Sequence, residues 1–523
     1  MASGRLALVL HAHLPFVRHP EHEESVEERW LFEAVVECYL PLVAVLRRLA
    51  DDGVAARISM SLTPPLVAML RDELLVSRTT RHIDRLAAFA AREALGASPE
   101  ERGVARFYAD RLESVRALWE EIGRDVPGAL AALRDRGLVE ILGSAATHGF
   151  LPLIAQDGPG GLDAARAQIE IGLSSQERAL GVRPRGMWLP ECGWDPRLDP
   201  VLASAGVDHV VLETHGVLHA APSPVAGVLA PIRSPAGIAA FARDPESSAQ
   251  VWSAQHGYPG DPAYRDFYRD VGYERSPEAL GELAHPARVP LPTGLKYRRV
   301  GDKGGETKEI YDPEAAAART RIHAEHFLAE RVAAVRAAVS PLSPPVVVAP
   351  FDAELFGHWW FEGPEFLEAV LRGAAARPET QTSTLAGFLS EYPAAQVAMP
   401  EASSWGEGGY AHVWCNEKNA WMLALVREVT RRLQDVAARA EPSRALDQAA
   451  REVLLAQSSD WPFLVYAGTA GDYPATRLRT HVANAHALLG EIEQGRVDAG
   501  LLEERERRHN LFAGIAVAAR AGK

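Results

Sequence analysis

The chain of 523 residues contains only three cysteines, Cys38, Cys192 and Cys415. Three widely spaced cysteines cannot form a complete disulfide framework, and their spacing fits no zinc ribbon. The first apolar run, residues 6–10, is too short for a signal peptide, because His11 and His13 follow at once. We therefore expect a cytoplasmic protein. The sequence also has no stretch near the roughly 18 apolar residues of a membrane span, so we expect no membrane partner.

Positive charge is in deficit. The sequence has 55 Lys and Arg against 69 Asp and Glu, which gives a formal net charge of −14. A protein whose main partner is nucleic acid usually carries a sustained basic stripe, and we find none, so we expect no nucleic-acid partner. The hydrophobic fraction of 47% is that of an ordinary globular protein and excludes general disorder.

Short apolar runs alternate with longer helical stretches over the first 350 residues. They predict seven strands, at residues 5–10, 56–62, 139–144, 186–189, 209–212, 238–241 and 346–350. Most are rich in Leu or β-branched residues and precede Gly, Pro or polar residues, as buried parallel strands do. Seven strands with intervening helices favour an α/β barrel over a sandwich.

The rest of the chain is predicted to be mainly helical. Helical periodicity at 81–94 and 104–122 predicts an insertion at 66–136 on a catalytic domain that spans 1–400. Glycines among charges at 294–311 predict an exposed loop. After residue 400 the strand patterns stop, and helices are predicted at 417–440, 444–457 and 475–494 within a C-terminal helical domain, 401–523.

Ionisable residues follow several predicted strands. His11 and His13 follow the first strand, His148 the third, Glu191 the fourth and Asp352 the seventh. In a parallel α/β barrel these strand ends form the active site, so we expect the side chains to meet in one pocket.

Two of these residues, Glu191 and Asp352, are carboxylates in apolar surroundings. A glycosidase needs such a pair, one as nucleophile and one as general acid, and apolar surroundings raise the pKa of the acid. The alternatives are structural, since either residue could cap a helix or pair with an arginine. Glu354 competes with Asp352 as the active carboxylate.

His11 and His13 also permit a metal site. Residues i and i+2 of a strand point the same way, so His-x-His can bind a metal, with His148, His256 or Asp352 as further ligands. Alternatively, these histidines bind sugar hydroxyls or lie in the core.

Several motifs together are specific. They are HAHLP at 11–15, SAATHG at 144–149, WLPEC at 188–192, QVWS at 250–253, GYPGD at 257–261, FDAELFGHWW at 351–360, SWG at 404–406 and SDW at 459–461. In these motifs the chain resembles glycoside hydrolase family 57, and within it the 1,4-α-glucan branching members. The resemblance implies an incomplete (β/α)7 barrel, a helical insertion and a C-terminal helical domain that closes the cleft.

The resemblance also implies a retaining mechanism, with Glu191 as nucleophile and Asp352 as general acid/base. Transfer of the cleaved chain to a glucan 6-hydroxyl would make an α-1,6 branch, and transfer to water would be hydrolysis. No cofactor and no metal are implied. The partner would be an α-glucan, and we expect a monomer or weak homo-oligomer. The implied substrate-binding residues are His11, His13, Trp30, His148, Trp252, Tyr264, Arg265, His358, Trp359, Trp405, Trp414, Asp460 and Trp461.

The sequence departs from the family in a loop. Branching members carry a tyrosine near the tip of a loop over the cleft, and Ala226 stands there in the matching segment, 222–227. Stacking tryptophans of relatives map to Glu24, Ala263 and Cys415. These changes keep open a glucan hydrolase, a 4-α-glucanotransferase or a weakly catalytic glucan-binding protein. We expect most of the eleven tryptophans to line the cleft.

Overall fold

The computed structural model of the chain describes residues 4–253, 256–301, 308–338 and 340–512. Part of the predicted loop 294–311 lies outside these residues. The rest of that loop is less exposed than predicted, because Leu295, Tyr297 and Tyr311 are buried and Arg298 forms a bridge with Ile310.

The described residues contain nine β-strands, and seven of them correspond to the predicted strands. The two others, β6 and β9, have two residues each, too few to leave a readable pattern. The strands are β1 (Arg5–Ala12), β2 (Ile58–Leu62), β3 (Val139–Leu142), β4 (Gly186–Met187), β5 (His209–Leu212), β6 (Ile232–Arg233), β7 (Ala239–Ala242), β8 (Val346–Asp352) and β9 (Gln381–Thr382).

Seven parallel strands form an incomplete barrel. The order β3-β2-β1-β8 and the parallel pairs β4-β5 and β5-β7 form two arcs, which a bridge from Gly143 to Met187 connects. At the other seam, the N–H of Asp244, just after β7, donates to the carbonyl oxygen of Val348 at 2.8 Å. No regular ladder joins β7 to β8 in the described residues. The predicted incomplete (β/α)7 barrel is therefore confirmed.

Twenty-one α-helices surround and extend the barrel in the described part of the chain. Helices α3 to α6 lie between β2 and β3, and α17 to α21 follow residue 400, where no described residue belongs to a strand. The helices are α1 (Glu28–Ala34), α2 (Leu40–Asp51), α3 (Pro64–Leu70), α4 (Glu73–Gly96), α5 (Arg102–Glu121), α6 (Val126–Asp135), α7 (Leu151–Ala155), α8 (Gly158–Leu180), α9 (Asp199–Ser204), α10 (Thr214–Leu218), α11 (Pro245–Trp252), α12 (Val271–Glu274), α13 (Pro277–Leu280), α14 (Pro313–Ala337), α15 (Gly363–Ala375), α16 (Leu385–Glu391), α17 (Ala420–Ala437), α18 (Arg444–Ala456), α19 (Asp460–Ala467), α20 (Tyr473–Glu493) and α21 (Ala499–Arg508).

The three predicted C-terminal helices are present as α17, α18 and α20, whereas α19 and α21 were not predicted. Helix α19 is apolar on almost every side, and α21 is mostly charged, so neither has the apolar stripe that marks an amphipathic helix. Among the described residues, no helix has the length and apolar character needed to cross a membrane.

A buried carboxylate binds the C-terminal helices together. Glu452 of α18 accepts hydrogen bonds from Nδ1 of His481 on α20 at 2.8 Å and from Nδ1 of His509, after α21, at 2.7 Å. Burial alone would raise the pKa of Glu452, but the two imidazoles hold that pKa well below its usual range. The charge of Glu452 therefore contributes to the packing of three segments.

We predict that Gly357 tolerates no side chain. It has φ +112°, and an added Cβ would lie 1.8 Å from the carbonyl oxygen of Glu37, which is backbone and cannot move aside. Gly53 is a matched control, because it has φ +67° and no atom within 4 Å of the added Cβ. Gly53→Ala should lower the free energy of unfolding by about 1 kcal/mol, and Gly357→Ala by roughly 3 kcal/mol or more. Equal denaturation midpoints for the two variants would contradict this prediction.

Candidate active site

Strand alternation directs two of the predicted site residues into the barrel. Even-numbered residues of β8, such as Val346 and Val348, pack in the barrel interior, and this alternation places Asp352 on the same face. On β1 the interior residues are Ala7 and Val9, followed by His11. His11 and Asp352 are also direct partners in the β1–β8 ladder. They therefore lie side by side at the carboxyl end of the barrel.

Glu191 reaches the same end through a strained turn. It follows β4 by four residues, and both Glu191 (φ +62°) and Cys192 (φ +51°) adopt the left-handed conformation. His148, after β3, does so as well, with φ +57°. These three are half of the six non-glycine residues with positive φ in the described part of the chain. Such strain persists only where surrounding contacts impose it, and it concentrates at functional sites.

Both oxygens of the Glu191 carboxylate accept hydrogen bonds from the C-terminal part of the chain. The indole Nε1–H of Trp405 donates to Oε2 at 2.9 Å, and the hydroxyl of Ser459 donates to Oε1 at 2.8 Å. The backbone N–H of Trp405 also donates to the carbonyl oxygen of Glu191 at 3.0 Å. These donors fix the orientation of the carboxylate.

The two carboxylates differ in their surroundings. Burial raises the pKa of Glu191, and the hydrogen bonds from Trp405 and Ser459 oppose that rise. Burial, followed by the charges of Glu354 and Glu191, raises the pKa of Asp352 well above its usual value. Among the described residues, no hydrogen bond to Asp352 counters this effect; only the charge of Arg243 does. Asp352 therefore holds its proton to higher pH than Glu191 does.

Glu354, the competing carboxylate, is engaged in structural contacts. Its Oε1 accepts hydrogen bonds from the Tyr39 hydroxyl and from the backbone N–H of His13, the latter at 3.2 Å. Its side chain is buried. These contacts leave Asp352 as the carboxyl group better suited to exchange a proton with a substrate.

The three predicted histidines form one stack. The ring of His148 lies 3.8 Å from that of His13 and 5.0 Å from that of His11, measured between ring centres. Trp188 lies against the other face of the cluster, 4.9 Å from His11. Burial lowers the pKa values of His11 and His148 well below the usual value, with a further contribution from the neighbouring imidazoles.

His13 differs from the other two because it faces a carboxylate. Burial acts to lower its pKa, but Asp460, whose oxygens lie 3.1 Å from Nε2, raises that pKa above the usual value. Nδ1 of His13 lies 2.9 Å from the Thr63 hydroxyl.

Protein contacts account for every ring nitrogen of the histidine stack. His11 contacts Ser61 and His148, and His148 contacts His11 and Ser459. His256, which was also considered as a metal ligand, is exposed on the surface. The arrangement therefore favours the hydrogen-bonding interpretation of the histidines over a metal centre.

A cleft of about 600 Å³ lies beside this centre: Glu354 and Asp460, which contact His13, line it, whereas Glu191 and Asp352 are not among its lining residues. Four of the predicted substrate-binding residues line it, together with Glu354 and several further aromatic side chains. The four residues are Trp30, His358, Trp359 and Asp460. Trp359 is 57% exposed and stacks on Phe267 at 4.6 Å, so it offers a flat apolar face toward solvent.

Four other predicted substrate-binding residues have buried side chains whose contacts in this structure are with protein. Tyr264 and Trp461 are both 0% exposed, and their polar atoms bond to His323 and to the carbonyl oxygen of Leu455. Trp414 packs on Phe150, and Arg265 lies over Phe361 and donates to backbone carbonyls, including that of His358. Trp252 is exposed at the end of α11 and does not line the cleft.

The expectation that most tryptophans line the cleft is also wrong. Five of the eleven are fully buried, and Trp414 is nearly so. The five are Trp119, Trp188, Trp194, Trp360 and Trp461. Most of the tryptophans therefore stabilise the core, although Trp188 also stacks on His11 and the partly buried Trp405 donates to Glu191 at the candidate site.

The placement of segment 222–227 over the cleft is wrong as well. Ala226 lines a small cavity together with Leu342, Ser343 and residues 393–396, and its neighbour Val225 donates a backbone hydrogen bond to Gln396; Leu342 and Ser343 lie shortly before β8. The carbonyl oxygen of Leu229 accepts a hydrogen bond from Val346, the first residue of β8, whereas Asp352 is the last. The segment therefore lies toward the opposite end of the barrel from Asp352, and Ala226 is not a missing lid residue.

Two site residues were absent from the sequence prediction. Ser459 was part of a recognised motif, but only the contact with Glu191 reveals what it does. Arg243 directly follows β7, so the rule of polar residues at strand ends would have found it. Its guanidinium donates to Glu213 at 2.8 Å and to Ser248 at 2.7 Å, and lies 5.9 Å from the centre of the Trp405 ring.

Comparison with known proteins gives consistent matches. The sequence model of glycosyl hydrolase family 57 matches residues 7–282, and that of the 1,4-alpha-glucan branching enzyme C-terminal domain matches residues 421–519. The 1,4-alpha-glucan branching enzyme of Thermococcus kodakarensis is 33% identical over 98% of this chain and 78% of its own.

Solved structures extend the likeness to the fold. The alpha-amylase AmyC of Thermotoga maritima superimposes with a TM-score of 0.91 and 35% identity, over 100% of this chain and 99% of its own. The family 57 branching enzyme of Pyrococcus horikoshii gives a TM-score of 0.87 and 32% identity, over 99% of this chain and 96% of its own.

We predict that Asp352→Asn stabilises the protein in a pH-dependent way. The pKa of Asp352 lies well above its ordinary value of 3.8, so the folded state binds this proton more tightly than the unfolded state does. Stability is therefore lost as the pH rises above about 4 and the carboxyl ionises, and an uncharged asparagine avoids this loss. The melting temperature should rise more at pH 8 than at pH 4. Asp110→Asn, at an exposed site, is the control. An equal rise at both pH values would contradict the prediction.

Proposed function

The chain belongs to glycosyl hydrolase family 57, and from this membership we propose that it is a retaining 1,4-α-glucan branching enzyme. The match of residues 421–519 to the branching enzyme C-terminal domain carries the choice of branching as the outcome. The natural substrate would be an α-glucan of the glycogen type. We further propose that residues 1–400 form the catalytic domain, with 66–136 as its insertion, and that 401–523 complete the cleft.

In the first step, the Glu191 carboxylate attacks the anomeric carbon of an α-1,4 linkage. The bond from that carbon to the glycosidic oxygen breaks, and Asp352 gives its proton to the departing oxygen. A glucosyl ester of inverted, β configuration then remains on Glu191. The raised pKa of Asp352 and the two donors that favour the ionised form of Glu191 support these roles.

In the second step, the 6-hydroxyl of another glucan chain attacks the ester carbon. The Asp352 carboxylate takes the hydroxyl proton, and the bond to Glu191 breaks. The second inversion restores the α configuration, so the product is an α-1,6 branch. If water attacks instead, the product is a new reducing end.

The role of the remaining groups follows from their positions. Glu354 and Asp460, which line the cleft and contact His13, would hold that histidine toward the sugar. Trp359, His358 and Trp30 would contact sugar rings farther along the cleft. Arg243 would limit how far the pKa of Asp352 rises.

A second candidate function is α-1,4-glucan hydrolysis. The similarity to the Thermotoga maritima alpha-amylase favours it, with a TM-score of 0.91 over the whole chain. The replacement at Ala226 does not support hydrolysis, because that residue lies toward the beginning of β8, at the opposite end from Asp352.

Product analysis distinguishes the two functions. The enzyme is incubated with amylose, and the products are assayed for reducing ends before and after treatment with a debranching enzyme. We predict linkages that the debranching enzyme releases and few new reducing ends before that treatment. Glu191→Gln should give neither product. New reducing ends without debranchable linkages would contradict branching and support hydrolysis.

Azide rescue with α-maltosyl fluoride tests the two catalytic roles. In Glu191→Gly, azide would enter the face that the carboxylate leaves free and give the β-azide. In Asp352→Gly, the ester on Glu191 would still form, because fluoride leaves without protonation, and azide would then give the α-azide. The two variants are controls for each other. The opposite assignment of anomers would reverse the roles that we propose for these residues.

A further inference from the structure

The Ser459 hydroxyl lies between two groups of the site. Its Oγ is 2.8 Å from Oε1 of Glu191 and 2.9 Å from Nδ1 of His148. Its backbone N–H donates to the carbonyl oxygen of His148 at 3.1 Å, and the residue is 1% exposed. Ser459 is therefore held by its backbone, with its side chain in contact with the proposed nucleophile.

Counting hydrogens fixes the direction of each hydrogen bond. A serine hydroxyl has one hydrogen, and an ionised carboxylate only accepts, so the Ser459 hydrogen points to Glu191. Nδ1 of His148 must then carry a hydrogen and donate to Ser459. The Nε2 of a neutral His148 is left as an acceptor, and the group that faces it, at 3.1 Å, is Nε2 of His11.

The hydrogen bonds of His11 have a defined direction as well. Nε2 of His11 donates to His148, so Nδ1 of His11 accepts from the Ser61 hydroxyl at 3.1 Å. The lowered pKa values of both histidines support the neutral forms that this arrangement requires. Four hydrogen bonds thus run in one direction, from Ser61 through His11 and His148 to Ser459 and Glu191.

We propose that Ser459 is a positioning residue of the reaction, which joins the Ser61–His11–His148 chain to Glu191 and holds its carboxylate ionised and oriented for attack. This inference rests on the proposed role of Glu191 as nucleophile. Trp405 only donates, so both oxygens of Glu191 face donors. A proton on Oε1 would leave the Ser459 hydrogen without its acceptor, which disfavours the inactive acid form. No proton crosses the chain in either step.

Ser459→Ala tests this role through release of fluoride from α-maltosyl fluoride, which reports bond cleavage whether the glucosyl group goes to a glucan or to water. We expect kcat to fall about 10- to 100-fold, as for loss of a hydrogen bond to a charged group, with KM nearly unchanged. The acid limb of the pH profile should move to higher pH, because the loss of a donor raises the pKa of Glu191. Ser459→Thr keeps the hydroxyl, so the acid limb of its pH profile should lie at the same pH as in the wild-type enzyme.

Ser443→Ala is a matched control from the same helical region. It removes the hydroxyl that accepts a hydrogen bond from the N–H of Leu446 at the start of α18, so it should lower the melting temperature without moving the pH limb. The proposal would be overturned if the acid limb of the pH profile in Ser459→Ala stayed at its wild-type pH. It would also be overturned if that limb lay at the same pH in Ser459→Ala and Ser459→Thr.

A second measurement requires no activity. In ¹⁵N-histidine-labelled protein, the His148 signals, assigned by their loss in His148→Asn, should show a hydrogen on Nδ1 and none on Nε2 at neutral pH. A hydrogen on Nε2 instead would overturn the inference about Ser459. Failure of the wild-type enzyme to release fluoride would instead overturn the proposed function, so the two failures are distinguishable.

Discussion

The site depends on one buried carboxylate whose two oxygens accept hydrogen bonds from donors far away in the sequence. Glu191 lies on a left-handed turn after a two-residue strand, and Trp405 and Ser459 hold it there. Both donors follow residue 400, whereas the turn belongs to the barrel. The barrel supplies neither of these donors, so the proposed chemistry depends on the packing of the C-terminal region against it.

The second constraint is the contrast between two carboxyl groups in one pocket. Glu191 has two donors, and Asp352 has none among the described residues. Burial raises both pKa values, but the missing donors and the neighbouring negative charges raise that of Asp352 further. The donors thus favour the ionised form of Glu191, and the surroundings of Asp352 favour its protonated form, which is the direction that a retaining glycosidase needs. As a consequence, the Asp352 carboxyl is partly buried without a hydrogen-bond donor among the described residues, which destabilises the fold.

Local patterns in the sequence were sufficient for the barrel and for residues at strand ends. The alternation along β1 and β8 that buries Val9 and Val348 also directs His11 and Asp352 inward. Contacts across long separations could not be predicted: Ser459 and Glu191 are 268 residues apart. Burial was also misjudged, since Trp461 belongs to a site motif yet packs wholly inside the helical region. Matching a loop by sequence placed Ala226 near the wrong end of the barrel, because a loop has no periodicity to fix its position.

The central claim is that Glu191 forms a covalent bond with the sugar, and mechanism-based labelling tests it most directly. A 5-fluoro-α-glucosyl fluoride keeps a good leaving group but slows breakdown of the ester, so the intermediate accumulates. Peptide mass analysis of the labelled enzyme should place one glycosyl group on Glu191. A label on Asp352 or Glu354, or turnover of the reagent with no labelled peptide, would contradict the account.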